Sequence, residues 1–312
     1  MSASPEPQSV ARGGASHTRP AQSLAPPKEA AERPTGAATL GQVSYRGEPA
    51  GSLVGSIAEI WRYRELFYFL AWRDVKVRYK QTALGVLWAV LQPFLTMLIF
   101  TAIFGRLANI PSGGLPRPLF YFCALVPWTY VSSSVNNAAM SLVSNSTLLT
   151  KIYFPRLIMP ASAALSGLLD FLISSALLIP LLIYYHTPVD ANLLVWPLLV
   201  VLIVLLALGI GLFLAALNVQ FRDVKYAIPF AIQLWLFVSP IIYPSSIVPA
   251  AFRWLVVLNP LTGIVEAFRT AVTAGARFDW AQLGLSSALT VGIFLASLVF
   301  FKRTERAFAD IV

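Results

Sequence analysis

Between Arg73 and Lys80 the sequence reads "RDVKVRYK". Arg73, Lys76, Arg78 and Lys80 place four cations within eight residues, Arg64 lies nearby, and a stretch with no charge begins at Leu84. Cations set against an apolar run reach phospholipid head groups, or fix which way the chain enters a membrane. On physics alone the second explanation, an orientation anchor, is the commoner one. Asp74 and Arg78 stand four apart, a spacing that favours an ion pair on a helix. Asp170 is the one acid deep in an apolar stretch. A carboxylate there must face protein or water, or be protonated. With no second intramembrane acid or histidine to extend a proton relay, a hydrogen bond to another helix is expected of it. Glu266 and Arg269, three apart, are expected to pair with each other near the opposite surface.

Other chemistries lack their residues. One cysteine, Cys123, and two histidines, His17 and His186, leave no disulfide and no metal cluster to build, so no metal site is expected. The chain has no G-x-x-x-x-G-K-[ST] loop to cradle nucleotide phosphates, no nucleophile elbow, no H-E-x-x-H pair and no paired carboxylates for glycosyl chemistry. It reads as a conduit, not as an enzyme. A net charge of +9 raises nucleic acid as a partner. The Lys and Arg residues adjoin apolar spans, however, and that favours a membrane instead.

The elements that hold these residues follow from hydropathy. The 312 residues are 57% hydrophobic and only 12% charged, about half the charge of a soluble domain. Residues 1–52 are rich in Pro, Ala, Ser and Gly and are expected to be a disordered cytoplasmic tail; residues 53–312 form the membrane domain. Six apolar runs, near 84–105, 118–139, 157–185, 193–217, 227–243 and 281–301, reach or approach the roughly 20 residues that cross hydrocarbon as a helix. Gly167 and Pro180 predict a tilt or kink in the third. Between the fifth and sixth, pieces at 247–258 and 261–274 are too short to span and are divided by Asn259-Pro260, which suggests re-entrant or interfacial helices. Residues 56–80 read as an amphipathic interfacial helix, with Ile57, Trp61, Tyr68, Trp72, Val75 and Tyr79 on one face and Arg62, Arg73, Lys76 and Lys80 on another. The fold class is therefore an all-α integral membrane protein of six spans. With the tail excluded, thirteen Lys and Arg fall on the side of the amino terminus and five on the other, which puts both termini in the cytoplasm.

Two further features have ordinary and functional explanations side by side. The segment 144–160, "SNSTLLTKIYFPRLIMP", is either a plain turn or a short cytoplasmic helix that presents side chains to a partner. Its Leu148, Leu149, Ile152 and Phe154 exceed what a solvated loop needs. Trp88 and Trp235 lie inside their runs and not at the borders, where an interfacial belt would put them.

Five stretches together resemble the membrane subunit of type 2 ATP-binding-cassette exporters, specifically the polysaccharide and polyol-phosphate export permeases: "RDVKVRYKQTALGVLWAVLQP" (73–93), "LLTKIYFPRLIMP" (148–160), "NVQFRDVKYAIPF" (218–230), "SPIIYP" (239–244) and "NPLTGIVEAFR" (259–269). The resemblance covers about 56–306. It implies two copies of this permease working with two copies of a separate ATPase, which binds the ATP and Mg; this chain itself needs no cofactor. It also implies a lipid-linked glycan, such as O-antigen or capsule, crossing a bacterial inner membrane through the canal between the copies. Under it Arg73, Lys76, Arg78 and Lys80 belong to a gate helix at the entrance from the lipid. Leu148, Lys151, Tyr153, Phe154, Pro155 and Arg156 match the coupling segment that docks in the ATPase. The stretch 247–274, with Glu266 and Arg269, matches an outer gate. Trp88, Tyr130 and Trp235 are candidates to line the canal, where flat rings stack weakly and repeatedly on sliding sugars. A type 2 permease for drugs or other lipids shares the architecture. A membrane glycosyltransferase or ligase is the remaining alternative and lacks the catalytic acids it needs.

Overall fold

The computed structural model describes residues 61–80, 85–151, 154–221 and 223–305; the tail expected at 1–52 lies outside them, as do the side chains of 149–151. Among the described residues every regular element is helical. Helix α1 (Arg64–Tyr79) comes first, then α2 (Leu87–Phe100), which widens into a π-helical stretch over Thr101–Leu107. Next are α3 (Arg117–Ser144), the short α4 (Ser146–Lys151), and α5 (Ile158–Ser166), α6 (Leu168–Ala176) and α7 (Leu178–Tyr184) end to end. A 3-10 turn at Ala191–Val195 leads into α8 (Trp196–Gln220), followed by α9 (Val224–Val238), α10 (Arg253–Leu258), α11 (Pro260–Ala271) and α12 (Trp280–Glu305).

Among the described residues four stretches are long and apolar enough to cross a membrane: Leu87–Leu107, Ile158–Tyr184, Ala191–Gln220 and Trp280–Glu305. The α10–α11 pair, bent by 89° at Asn259, would be a fifth if taken as one span. The third run carries the expected breaks, at Gly167 and at Leu177. Pro180 has no N–H to give the carbonyl four residues back, and Leu177 instead closes a tighter turn onto Ser174 O at 3.1 Å. Two other runs depart from a plain six-span pattern. Helix α3 has 28 residues, yet its Ser, Thr and Asn content lowers its hydropathy. It is buried along most of its length, because neighbouring helices and not lipid surround it. Helix α9 has 15 residues, about 22 Å at 1.5 Å per residue, and stops where Ser239 turns extended. Pro240 imposes that on the residue before it.

The main core is built on α3, with Leu119, Phe122, Val131 and Val135 meeting Leu199, Ile203 and Leu206 of α8 and Leu261, Ile264 and Phe268 of α11. Small residues let the backbones approach, as expected where helices pack without a hydrophobic drive between them. A Cβ on Gly211 would lie 2.7 Å from Ala138 Cβ of α3, and one on Gly209 would lie 3.0 Å from Phe294 Cα of α12. A second core gathers Leu70 of α1 with Leu142, Phe154, Leu157, Leu212, Ala216, Leu298 and Phe301.

The polar contacts sort the connections into two ends. At one end Arg73 of α1 reaches Asn145 Oδ1 at 3.4 Å, after α3, and Arg156 donates to Glu305 O at 2.9 Å, at the end of α12. At the other end Arg117 donates to Asn109 Oδ1 at 2.7 Å, Asn192 to Ala276 O at 2.9 Å, and Gly275 N–H to Asp190 Oδ2 at 2.6 Å. The cation-dense segments thus share one end of the bundle.

Candidate functional site

Helix α1 turns Leu66 and Phe67, four and three residues before Leu70, together with Leu70 against the second core, and Val75 is buried further along. The single aromatic face expected from the sequence is divided. Val75 and Tyr79 turn inward, whereas Trp61, Tyr68 and Trp72 stay exposed among the cations. Arg64 lies over the Trp61 ring and Lys76 over the Trp72 ring, each at 5.9 Å, and Tyr68 stacks on Trp72 at 6.4 Å. Mixed rings and cations of this kind suit the boundary between head groups and acyl chains.

The four cations of "RDVKVRYK" divide in the same way. Lys76 and Lys80 are exposed. Arg73 pairs with Asp74 at 2.9 Å, so the expected Asp74–Arg78 pair does not form. Arg78 instead reaches across to α6 and pairs with Asp170 Oδ2, while the Tyr79 hydroxyl donates to Asp170 Oδ1. The acid in the apolar run has therefore found its hydrogen bonds on another helix, and both of its oxygens are occupied.

Around this pair runs a polar seam. A cavity of about 330 Å³ is bounded by α2, α3 and α6 and lined by Arg78, Gln92, Thr129, Ser133, Asn137 and Asp170 among others. A second, of about 340 Å³, is lined by Arg73, Asn137, Ser141, Ser144 and Asn145 and extends toward the end that carries α1. Arg78 and Asn137 belong to both, so the two adjoin. Thr129, Ser133 and Asn137 recur every four residues along one face of α3. That spacing is visible in the sequence, but sequence reasoning singled out none of them, nor Gln92.

Of the canal candidates, Trp88 is half exposed on α2. Tyr130 is 2% exposed; its ring packs on Phe171 at 5.6 Å, and its edge lines the first cavity. Trp235 is partly buried and tied down: its indole N–H donates to Asn259 Oδ1 at 3.1 Å, and its ring meets Trp128 edge-to-face at 5.7 Å. Asn259 was read from sequence only as a break. In fact it also caps α11 through Leu261 N–H at 3.1 Å and donates to Ser239 Oγ at 2.8 Å, so one side chain joins α9, α11 and the turn between them.

In the coupling segment Tyr153 lies outside the described residues, and Lys151 is described only as the last residue of α4. Phe154 is 6% exposed and belongs to the second core, Leu148 packs partly on that core, and Pro155 and Arg156 are half-buried. The Arg156 N–H also donates to Glu305 Oε1 at 3.3 Å. The Glu266–Arg269 pair forms, at 3.4 Å, but Arg269 is only 4% exposed. It donates to Phe120 O at 3.3 Å and Ile241 O at 2.9 Å and lies 3.7 Å over the Phe120 ring, while Glu266 accepts from Ser245 N–H at 3.0 Å. These contacts clasp α11 to α3 and to the segment after α9.

A bundle of apolar helices with a polar seam between them and its densest cation clusters at one end defines a multi-pass membrane protein. The profile of the ABC-2 type transporter family matches residues 65–273, and the chain belongs to that family of transport permeases. It is 29% identical over 262 residues to the O-antigen export system permease protein RfbA of Myxococcus xanthus, which covers 83% of this chain and 99% of that one. It is 27% identical over 251 residues to a Klebsiella pneumoniae protein of the same name, covering 80% and 95%. To the polysialic acid transport protein KpsM of Escherichia coli it is 27% identical over 244 residues, covering 75% and 92%.

Proposed function

We propose that this chain is the membrane permease of an exporter that carries a lipid-linked polysaccharide out of the cytoplasm, driven by a separate ATPase. What carries the reading is the match to polysaccharide export permeases over nearly their whole length. The polar seam beside the cation-bearing helix α1 supports it. In this reading the chain lies in a bacterial inner membrane with both termini in the cytoplasm. Six spans are formed by α2, α3, α5–α7, α8, α9 and α12, with α10–α11 dipping in from the outer side under the Glu266–Arg269 clasp. Helix α1 lies along the inner surface, its exposed Trp61, Tyr68 and Trp72 in the interface and Lys76 and Lys80 toward phosphates, each cation contributing about 1 kcal/mol near an anionic surface. Two permeases face each other, and two ATPase subunits, which hold the nucleotide and Mg, dock on the end formed by α4 and Arg156. Phe154 is turned into the protomer, so docking falls to α4 and not to that ring.

The reading is tested by deleting the gene and complementing it. Loss of surface polysaccharide with lipid-linked glycan accumulating inside the cell, both reversed by the intact gene, is the expected result. Normal surface polysaccharide in the deletion strain would reject it.

A further inference from the structure

Gln92, Thr129 and Asn137 line the cavity between α2, α3 and α6, and among the described residues their side chains make no hydrogen bond to protein. Amide and hydroxyl groups at membrane depth are costly without partners, so this space is built for water or for a polar ligand. Arg78 is the one cation on its wall. A guanidinium in reach of the head-group layer would ordinarily be taken by whichever phospholipid phosphate lay nearest, since such lipids vastly outnumber any transport substrate. Here it is already held by Asp170, whose second oxygen is held by Tyr79.

We propose that Asp170 is a specificity-determining residue: a resident carboxylate that a ligand must displace from Arg78, so that the cavity admits a polyanionic diphosphate head group and turns away singly charged phosphodiesters. The inference rests on the reading of the substrate as a lipid-linked glycan. A phosphodiester brings one negative charge and gains nothing by replacing another. A diphosphate brings two or more charges and several acceptor oxygens, enough to engage Arg78 in a fork and also to take hydrogen bonds from Gln92, Asn137 and Thr129. Tyr79 strengthens the guard by holding Asp170 in place. Displacing the carboxylate also frees the end of α1 from α6, so occupancy of the cavity and release of α1 are one event.

The test uses the full permease–ATPase complex in nanodiscs of phosphatidylcholine and measures binding of a polyprenyl diphosphate and, separately, of phosphatidylglycerol. Wild type is expected to prefer the diphosphate. Asp170→Asn keeps the side-chain volume and removes the competing charge; it should raise phosphatidylglycerol affinity and shrink the preference by roughly tenfold, the order of a partly buried charge pair. Tyr79→Phe keeps the ion pair and loosens it, and should move the preference the same way by roughly threefold. If both variants bind the two lipids in the wild-type ratio, or lose preference only by losing diphosphate binding, Asp170 is a structural tie and the proposal is wrong. Should wild type bind no diphosphate at all, the proposal is wrong at its ligand; the export reading is judged separately, by surface polysaccharide in the deletion strain, so the two failures are told apart.

Discussion

Replacing Phe154 by alanine separates its two candidate roles. The ring is 6% exposed and lies among Leu142, Leu157, Leu212 and Phe301, close to the end of the bundle where Arg156 meets Glu305. A buried phenylalanine removes about 200 Å² from solvent; at about 25 cal/mol per Å² this is about 5 kcal/mol, an upper figure because unfolded chains already bury some surface. Phe→Ala substitutions in cores cost about 3–5 kcal/mol, a large part of the roughly 5–15 kcal/mol that holds a typical protein folded. Thermal unfolding of the purified permease, followed by intrinsic fluorescence or light scattering, should therefore show Phe154→Ala strongly destabilised even without the ATPase. Phe154→Leu, which refills much of the space, should recover most of the loss. If Phe154→Ala melts like wild type and loses only ATPase binding, the ring is a docking anchor and its place in the second core is wrong.

Other substitutions probe the packing and the gates. A Cβ on Gly263 would meet Ser286 Oγ at 2.4 Å and Gln282 O at 2.7 Å, whereas one on Gly284 meets nothing. Gly263→Ala should cost about 1–3 kcal/mol and Gly284→Ala close to nothing, compared as folded yield in detergent. Asn259→Ala strands Trp235 Nε1–H and Leu261 N–H and should cost about 1–3 kcal/mol; restored stability in Asn259→Asp, which keeps the acceptor, would separate capping from packing. Combined replacement of Lys76 and Lys80, both exposed, by Gln should leave the fold intact and weaken binding of anionic lipid to the detergent-purified permease by about 2 kcal/mol, read by titration with anionic against zwitterionic lipid.

The all-helical membrane architecture was legible because hydropathy and the break at Asn259-Pro260 are local properties of the chain. Gly167 and Pro180 likewise mark where the third run is interrupted, at Gly167 and at Leu177. What the sequence hid were the partners. Asp74, four residues from Arg78, looked like its mate, and only the tertiary fold brings Asp170 to that guanidinium; an acid in an apolar run must be answered from somewhere, and the nearest arginine in space is 92 positions away. The polar residues of α3 lowered its hydropathy without weakening its place in the bundle, because other helices surround it. Trp235 and Phe154 carry no mark of burial in their types, since an aromatic suits a canal, an interface or a core equally. The face spacing of Thr129, Ser133 and Asn137 was available from the start and would have pointed to the seam.

The most direct test of export is ATP-dependent movement of the cargo itself. The permease and its partner ATPase are purified from the native host and reconstituted in vesicles, with lipid-linked glycan added to the outer leaflet, where it meets the ATPase face of correctly oriented complexes. Glycan should become protected from an external glycosidase only when ATP is supplied, and not with a hydrolysis-deficient ATPase. Protection independent of ATP, or no protection while the complex hydrolyses ATP in response to another lipid, would contradict export of a lipid-linked polysaccharide.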